Sequence, residues 1–106
     1  MKSSLKPLTA LKRKPKTLVE LFRDPRRWTK GQLINGDYTA VCVRGGINFL
    51  CTGNADNFAG ELFAIEDKIR AAAGLVDEDR MAVVCWNNDP SLTHKEFLRV
   101  LKKAGV

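Results

Sequence analysis

Hydrophobic side chains recur at helical spacing in three stretches of the chain. Over residues 54–73, Phe58, Leu62, Ile65, Ile69 and Ala72 step by four, three, four and three. Glu61, Glu66, Asp67, Lys68 and Arg70 lie largely off that stripe, as in a helix with one buried face. The pattern predicts a helix from Asn54 to Ala73, started by Asn54 or Asp56 and stopped by Gly74, with Glu66 and Arg70 at the favourable i,i+4 spacing. Thr93-His94-Lys95-Glu96 has Thr at N-cap and Glu at N3, so a last helix runs to about Ala104. Phe97, Leu98, Leu101 and Ala104 would face inward, and Lys102 and Lys103 would complement the dipole before Gly105. Thr17 heads a shorter helix, Leu18 to Arg23, with Leu18, Leu21 and Phe22 on one side and Asp24-Pro25 as the stop.

Between these helices the pattern changes period. Asn35-Gly36 sits between β-favouring residues and predicts a short hairpin near residues 32–40, because a type I′ turn needs positive φ at both central positions. Ala40 to Cys51 reads both ways. At period two, Val41 and Val43, then Ile47, Phe49 and Cys51, make a second hairpin around Gly45-Gly46. At helical period Val43, Ile47, Leu50 and Cys51 share a face, though each interior glycine costs a helix about 1 kcal/mol. Local physics leans towards strand there. Arg80 to Trp86 is an apolar run short enough to be a buried strand, and Asn87-Asn88-Asp89-Pro90 is turn chemistry.

Charge adds a division that hydropathy misses. The 106 residues carry a formal net charge of +6. Lys2, Lys6, Lys12, Arg13, Lys14 and Lys16 supply all of it, since residues 1–16 contain no acid and the rest of the chain is balanced. The organisation expected is a basic tail, 1–16, disordered or ordered by its target, and one domain, 17–106. Pro7 and Pro15 bracket any helix in the tail. Its apolar runs are too short for a secretory or spanning segment, so a cytoplasmic protein with no membrane contact is expected. Transit-peptide and import-signal readings of the basic stretch are weaker than a solvated arm or one lying on phosphates. The length leaves no room for several βαβ units, and no cofactor is expected.

Three cysteines, Cys42, Cys51 and Cys85, are an odd set at wide spacing, which favours a reducing compartment and buried thiols. With His94 they would formally make a Cys3His zinc set, but no close Cys pair preorganises it, and no metal is expected. Cys42 or Cys85 with His94 and Asp89 can be drawn as nucleophile, base and orienter. Apolar burial, a helix start and a turn explain those residues more simply. Asp77-Glu78-Asp79 lacks the alternating ligand spacing of a calcium loop and reads as solvated.

Candidate binding residues therefore come from basic and aromatic clusters. Arg23, Arg26, Arg27, Trp28 and Lys30 form a strip that would extend the tail, although Trp28 reads more readily as a lid on the core. Trp86, Asn87 and Asp89 make a second patch, with polar groups beside an indole.

Three blocks also carry a resemblance. Arg26-Arg27-Trp28-Thr29-Lys30-Gly31, Cys42-Val43-Arg44-Gly45-Gly46 and Trp86-Asn87-Asn88-Asp89 with its following capped helix resemble, in order and spacing, a small family of uncharacterised proteins from actinobacteria and their bacteriophages. The likeness covers residues 17–104; an extra Asn before Asp89, and Gly46 where Ala is usual, depart from it. The resemblance implies a mostly helical fold in which the Cys42 block opens a helix, and it implies no activity. With it, the expectation becomes a mainly α single domain of about four helices with a hairpin near 32–40. The alternative is α+β, with a second hairpin at 40–51 and a strand at 80–86.

The function expected is a small non-enzymatic binding protein. Its arm and basic–aromatic strip would engage nucleic acid, or an acidic or nucleic-acid-binding host protein that it inhibits. A structural or assembly protein, its tail threaded into a neighbouring subunit, is the alternative, and a thiol-dependent enzyme the third reading.

Overall fold

The computed structural model describes residues 5–76 and 79–106. Lys2, Asp77 and Glu78 lie outside the described residues. Five helices follow one another: α1 (Leu18–Leu21), α2 (Val43–Thr52), α3 (Leu62–Ala73), α4 (Ala82–Asn87) and α5 (His94–Ala104). Short 3-10 turns sit at Leu8–Ala10 and Pro25–Arg27. The fold is mainly α, as expected.

Local signals place the ends of α1 and α5. Thr17 and Thr93 accept the backbone N–H of Glu20 and Glu96 through their hydroxyls, each at 3.1 Å. Gly74 and Gly105 close α3 and α5 in the left-handed conformation that an L side chain resists. The core joins Leu18, Leu21 and Phe22 to Ile47, Ile69, Phe97 and Leu101, all of them buried. Phe22 meets Phe97 edge to face, with ring centroids 5.1 Å apart.

Two segments, 32–40 and the start of α3, differ from the mainly α expectation, while residues 43–52 and 82–87 follow it and go against the α+β alternative. The hairpin at 32–40 does not form. Asn35 Oδ1 accepts the N–H groups of Thr39 and Ala40, and Tyr38 N–H returns to Asn35 O, so the side chain occupies donors a ladder would use. Tyr38, at φ 57°, takes the positive-φ position in place of Gly36. Among the described residues only isolated bridges remain, from Val41 to Trp28 and to Ile34.

Residues 43–52 are helix, not hairpin, because both glycines let other chain segments in. A Cβ on Gly46 would stand 2.7 Å from Phe22 Cζ, and one on Gly45 would collide with the Leu33 carbonyl. Residues 82–87 are helix, not strand. The expected start of α3 is also too early: Asn48, fully buried, donates to Ala55 O and accepts Ala59 N–H, holding 54–60 as a loop that leaves Phe58 exposed.

The expected Glu66–Arg70 pair gives way to longer-range partners. Glu66 is buried and takes two hydrogen bonds from Arg44, at 2.9 and 2.8 Å, while Arg70 reaches Asp67. Arg44 also donates to Arg80 O at 2.8 Å, which ties α2, α3 and the entry to α4 together.

Candidate functional site

Asn87, at the end of α4, is the point where the three sequence blocks meet. Its side chain is completely buried. Oδ1 accepts Trp28 Nε1–H at 2.7 Å and Val43 N–H at 3.0 Å. Nδ2 donates to Thr29 O and to Asn88 Oδ1, which in turn accepts Gly31 N–H. Every polar atom of this amide is therefore used, and each bond crosses to a different block or to its neighbour.

Trp28 lies flat on Phe97, 4.3 Å between centroids and 12° between planes, and Trp86 approaches Phe97 from 5.4 Å. With one face stacked on the core and its only donor used, the half-buried indole is engaged inside the molecule. Of the second candidate patch, Asn87 is interior, Trp86 half-buried and Asp89 exposed. Asp89 Oδ1 accepts the N–H and hydroxyl of Ser91, and these bonds lower its pKa.

The basic–aromatic strip does not exist as one surface. Arg27 is buried and donates to two backbone carbonyls, Lys6 O at 2.5 Å and Thr39 O at 3.1 Å. Lys30 Nζ donates to the carbonyls of Asp89 and Leu92 and sits 5.1 Å over the Trp28 ring. Arg26 pairs with Asp24, and that hydrogen-bonded guanidinium holds the Asp24 carboxyl down at about 2. Arg23 alone of the strip is exposed and outside the ion pairs found among the described residues.

Part of the basic tail is laid against the domain. Leu8 is 1 % exposed and belongs to the core, and its N–H donates to Tyr38 O at 2.7 Å. Lys14 Nζ stands 5.7 Å over the Phe49 ring. With Arg27 holding the Lys6 carbonyl, the arm is fixed at several points. Lys6, Lys12, Arg13, Lys14 and Lys16 nevertheless stay exposed, and no ion pair among the described residues involves them.

A model for a family of unknown function (DUF6197) matches residues 18–105, a span that contains all three blocks and Asn87. The chain belongs to this family. No curated protein and no solved structure matches it. The DUF6197 span begins after the arm, so the docked cations lie outside the part of the chain that defines the family.

Of the three thiols expected to be buried in this DUF6197 protein, Cys42 is buried, whereas Cys51 in the last turn of α2 and Cys85 on α4 occupy exposed helical positions. Burial pushes the Cys42 thiol up, and partial desolvation together with Glu61 raises Cys51. His94 Nε2 donates to Phe22 O at 2.6 Å, a structural bond between α5 and the end of α1. Beside Cys42 a hollow of about 290 Å³ opens between Leu33, Phe58, Met81 and Val84, with Gln32, Arg44 and Asn88 also on its wall. Among the described residues no three His, Cys, Asp or Glu side chains gather as metal ligands. Nor is any helix there long and apolar enough to cross a membrane.

Arg44–Glu66, Asn48 and Leu8 escaped sequence reasoning. A buried cation looks like a surface cation in a string of letters. Leu8 lies between prolines with no periodicity to mark it as core.

Proposed function

We propose that this DUF6197 protein is a small non-enzymatic nucleic-acid-binding module acting in the cytoplasm of a bacterial cell. The observation that carries the reading is the docked arm, whose apolar side is spent on the core while its cations face outward. Lys6, Lys12, Arg13, Lys14, Lys16 and Arg23 are all exposed. Held on a folded surface, such an arm loses less conformational entropy on meeting phosphates than a free tail would.

Two features favour a phosphate backbone over an acidic protein. Tight protein interfaces centre on buried aromatic and apolar anchors, and here Leu8 and Trp28 are already engaged inside the molecule. The Phe49 ring that Lys14 covers is itself buried, so base stacking and sequence readout are not invoked, and the binding proposed is to the backbone and independent of sequence.

Fluorescence anisotropy with labelled mixed-sequence duplexes tests this. Six phosphate contacts alone give a log–log salt slope of about −5. Replacing Lys12, Arg13, Lys14 and Lys16 together by Ser in the full chain is expected to flatten the slope by about four. A slope near zero, or the same affinity after the fourfold replacement, overturns the reading. Capture of an acidic protein without any duplex binding does so as well.

A further inference from the structure

The outward face of α5 is the strongest charged feature that the reading above leaves unused. Lys95, Arg99, Lys102 and Lys103 follow at i, i+4, i+7 and i+8, one side of the helix, and Lys95, Arg99, Lys102 and Lys103 are all exposed. The opposite side, Phe97, Val100 and Leu101, is buried. At 1.5 Å rise per residue the stripe extends about 12 Å.

Two hydrogen bonds fix where this stripe lies. His94 Nε2 donates to Phe22 O at 2.6 Å, and Val19 N–H donates to Val106 O at 3.4 Å. α5 therefore runs alongside α1 in the opposite direction. Its last turn, with Lys102 and Lys103, stands beside the start of α1, where the arm enters through Lys16 and Thr17. Its first turn, with Lys95, stands beside Phe22 and hence Arg23. Lys16 and Arg23 thus flank α1 at its two ends, and the α5 cations follow the helix that lies beside it.

Acids do little to cancel this face. Glu96 is occupied by Arg99, at 2.7 and 2.6 Å, and Asp24 by Arg26. Glu20, exposed on α1, is the remaining carboxylate of these elements. No ion pair among the described residues engages Lys95, Lys102 or Lys103.

We infer that the α5 stripe is the second half of the nucleic-acid surface, with Lys102 and Lys103 contacting phosphates alongside the arm. The inference rests on the nucleic-acid reading and extends it to a part of the DUF6197 domain itself. Cations on the arm, at both ends of α1 and along α5 suit a polyanion with regularly spaced phosphates, which gains with each further contact. The occupant is a nucleic-acid backbone; an acidic protein is an outcome of the test.

The test measures duplex binding against salt for the full chain and three variants. The wild type is expected to show a slope near −7, and Lys102→Ser/Lys103→Ser to bring it back by about two, with roughly tenfold weaker binding at low salt. Glu20→Gln is expected to tighten binding, an outcome that damage to the fold does not produce. The third variant is the fourfold arm replacement. Loss of binding in the arm variant with no change in Lys102→Ser/Lys103→Ser overturns the α5 inference and leaves the arm reading standing. The reverse result overturns the arm reading and keeps the stripe. A wild type that binds only acidic protein overturns both.

Discussion

Two regions of this molecule use the same residue types for opposite ends. In the family-defining interior, Arg27, Lys30 and Arg44 turn their charges onto backbone carbonyls or onto a buried carboxylate, and Trp28 lies on Phe97. On the arm, Lys12, Arg13, Lys14 and Lys16 keep theirs in solvent. The interior cations stand among the three blocks that characterise the chain, and the exposed ones lie outside the family match. So the blocks are best understood as the framework of a fold. Basic residues mark a binding surface only where the protein has not already used them.

The comparison predicts a steep ranking of mutational effects. The largest belongs to Arg44→Met, which strands a buried Glu66 carboxylate and leaves Arg80 O without its donor; a loss of about 3–5 kcal/mol is expected in urea unfolding followed by circular dichroism. Adding Glu66→Leu is expected to recover most of that loss, since the uncompensated charge causes it. No recovery would mean that Arg44 and Glu66 are not paired in the interior.

Asn87→Leu comes next. It keeps the volume, but the Trp28 and Val43 N–H groups lose their acceptor, at an expected cost of about 3 kcal/mol in the same assay. A change below about 0.5 kcal/mol, the ordinary range for surface sites, would mean that the blocks do not interlock through Asn87.

Leu8→Ala tests the arm from the other side. Truncating a buried leucine costs about 2–3 kcal/mol where the site collapses partly, and hydrogen exchange at the Leu8 amide is expected to accelerate with it. Unchanged stability and exchange would put the arm back in solvent and dissolve the contrast.

The smallest effect concerns pH. Asp24 has a folded pKa of about 2 against an ordinary 3.8, through its hydrogen bonds with Arg26. A lowered carboxylate pKa contributes stability that is complete above the ordinary value and is lost as the pH falls towards the folded one. Asp24→Asn should therefore differ from wild type in the slope of stability between pH about 4 and about 2, and not above it. The pair is well exposed, so the difference is expected to be small.

What the sequence made legible was local. Both threonine caps and the glycine stops of α3 and α5 stand where their own neighbours put them, because a cap is decided within one turn. α2 was not legible from local physics, since Gly45 and Gly46 weaken a helix in isolation and become assets only when Leu33 and Phe22 pack onto them. α4 spans six residues, too few for periodicity to separate helix from strand. The strip from Arg23 to Lys30 misled for a related reason: composition counts charges and cannot say which way they point. The α5 stripe was visible as letters, but its junction with the arm depends on where α1 lies.

The stacking around Phe97 also makes the molecule its own reporter. Both tryptophans of the chain, Trp28 and Trp86, flank that one ring, and Trp28 is hydrogen-bonded to Asn87 as well. Intrinsic emission therefore watches a single spot, where the blocks interlock, and should shift together with loss of the Asn87 hub. The arm holds no chromophore of this kind. A dye placed there would give an independent optical channel, and disagreement between the two colours during unfolding would time the arm's release against the melting of the core.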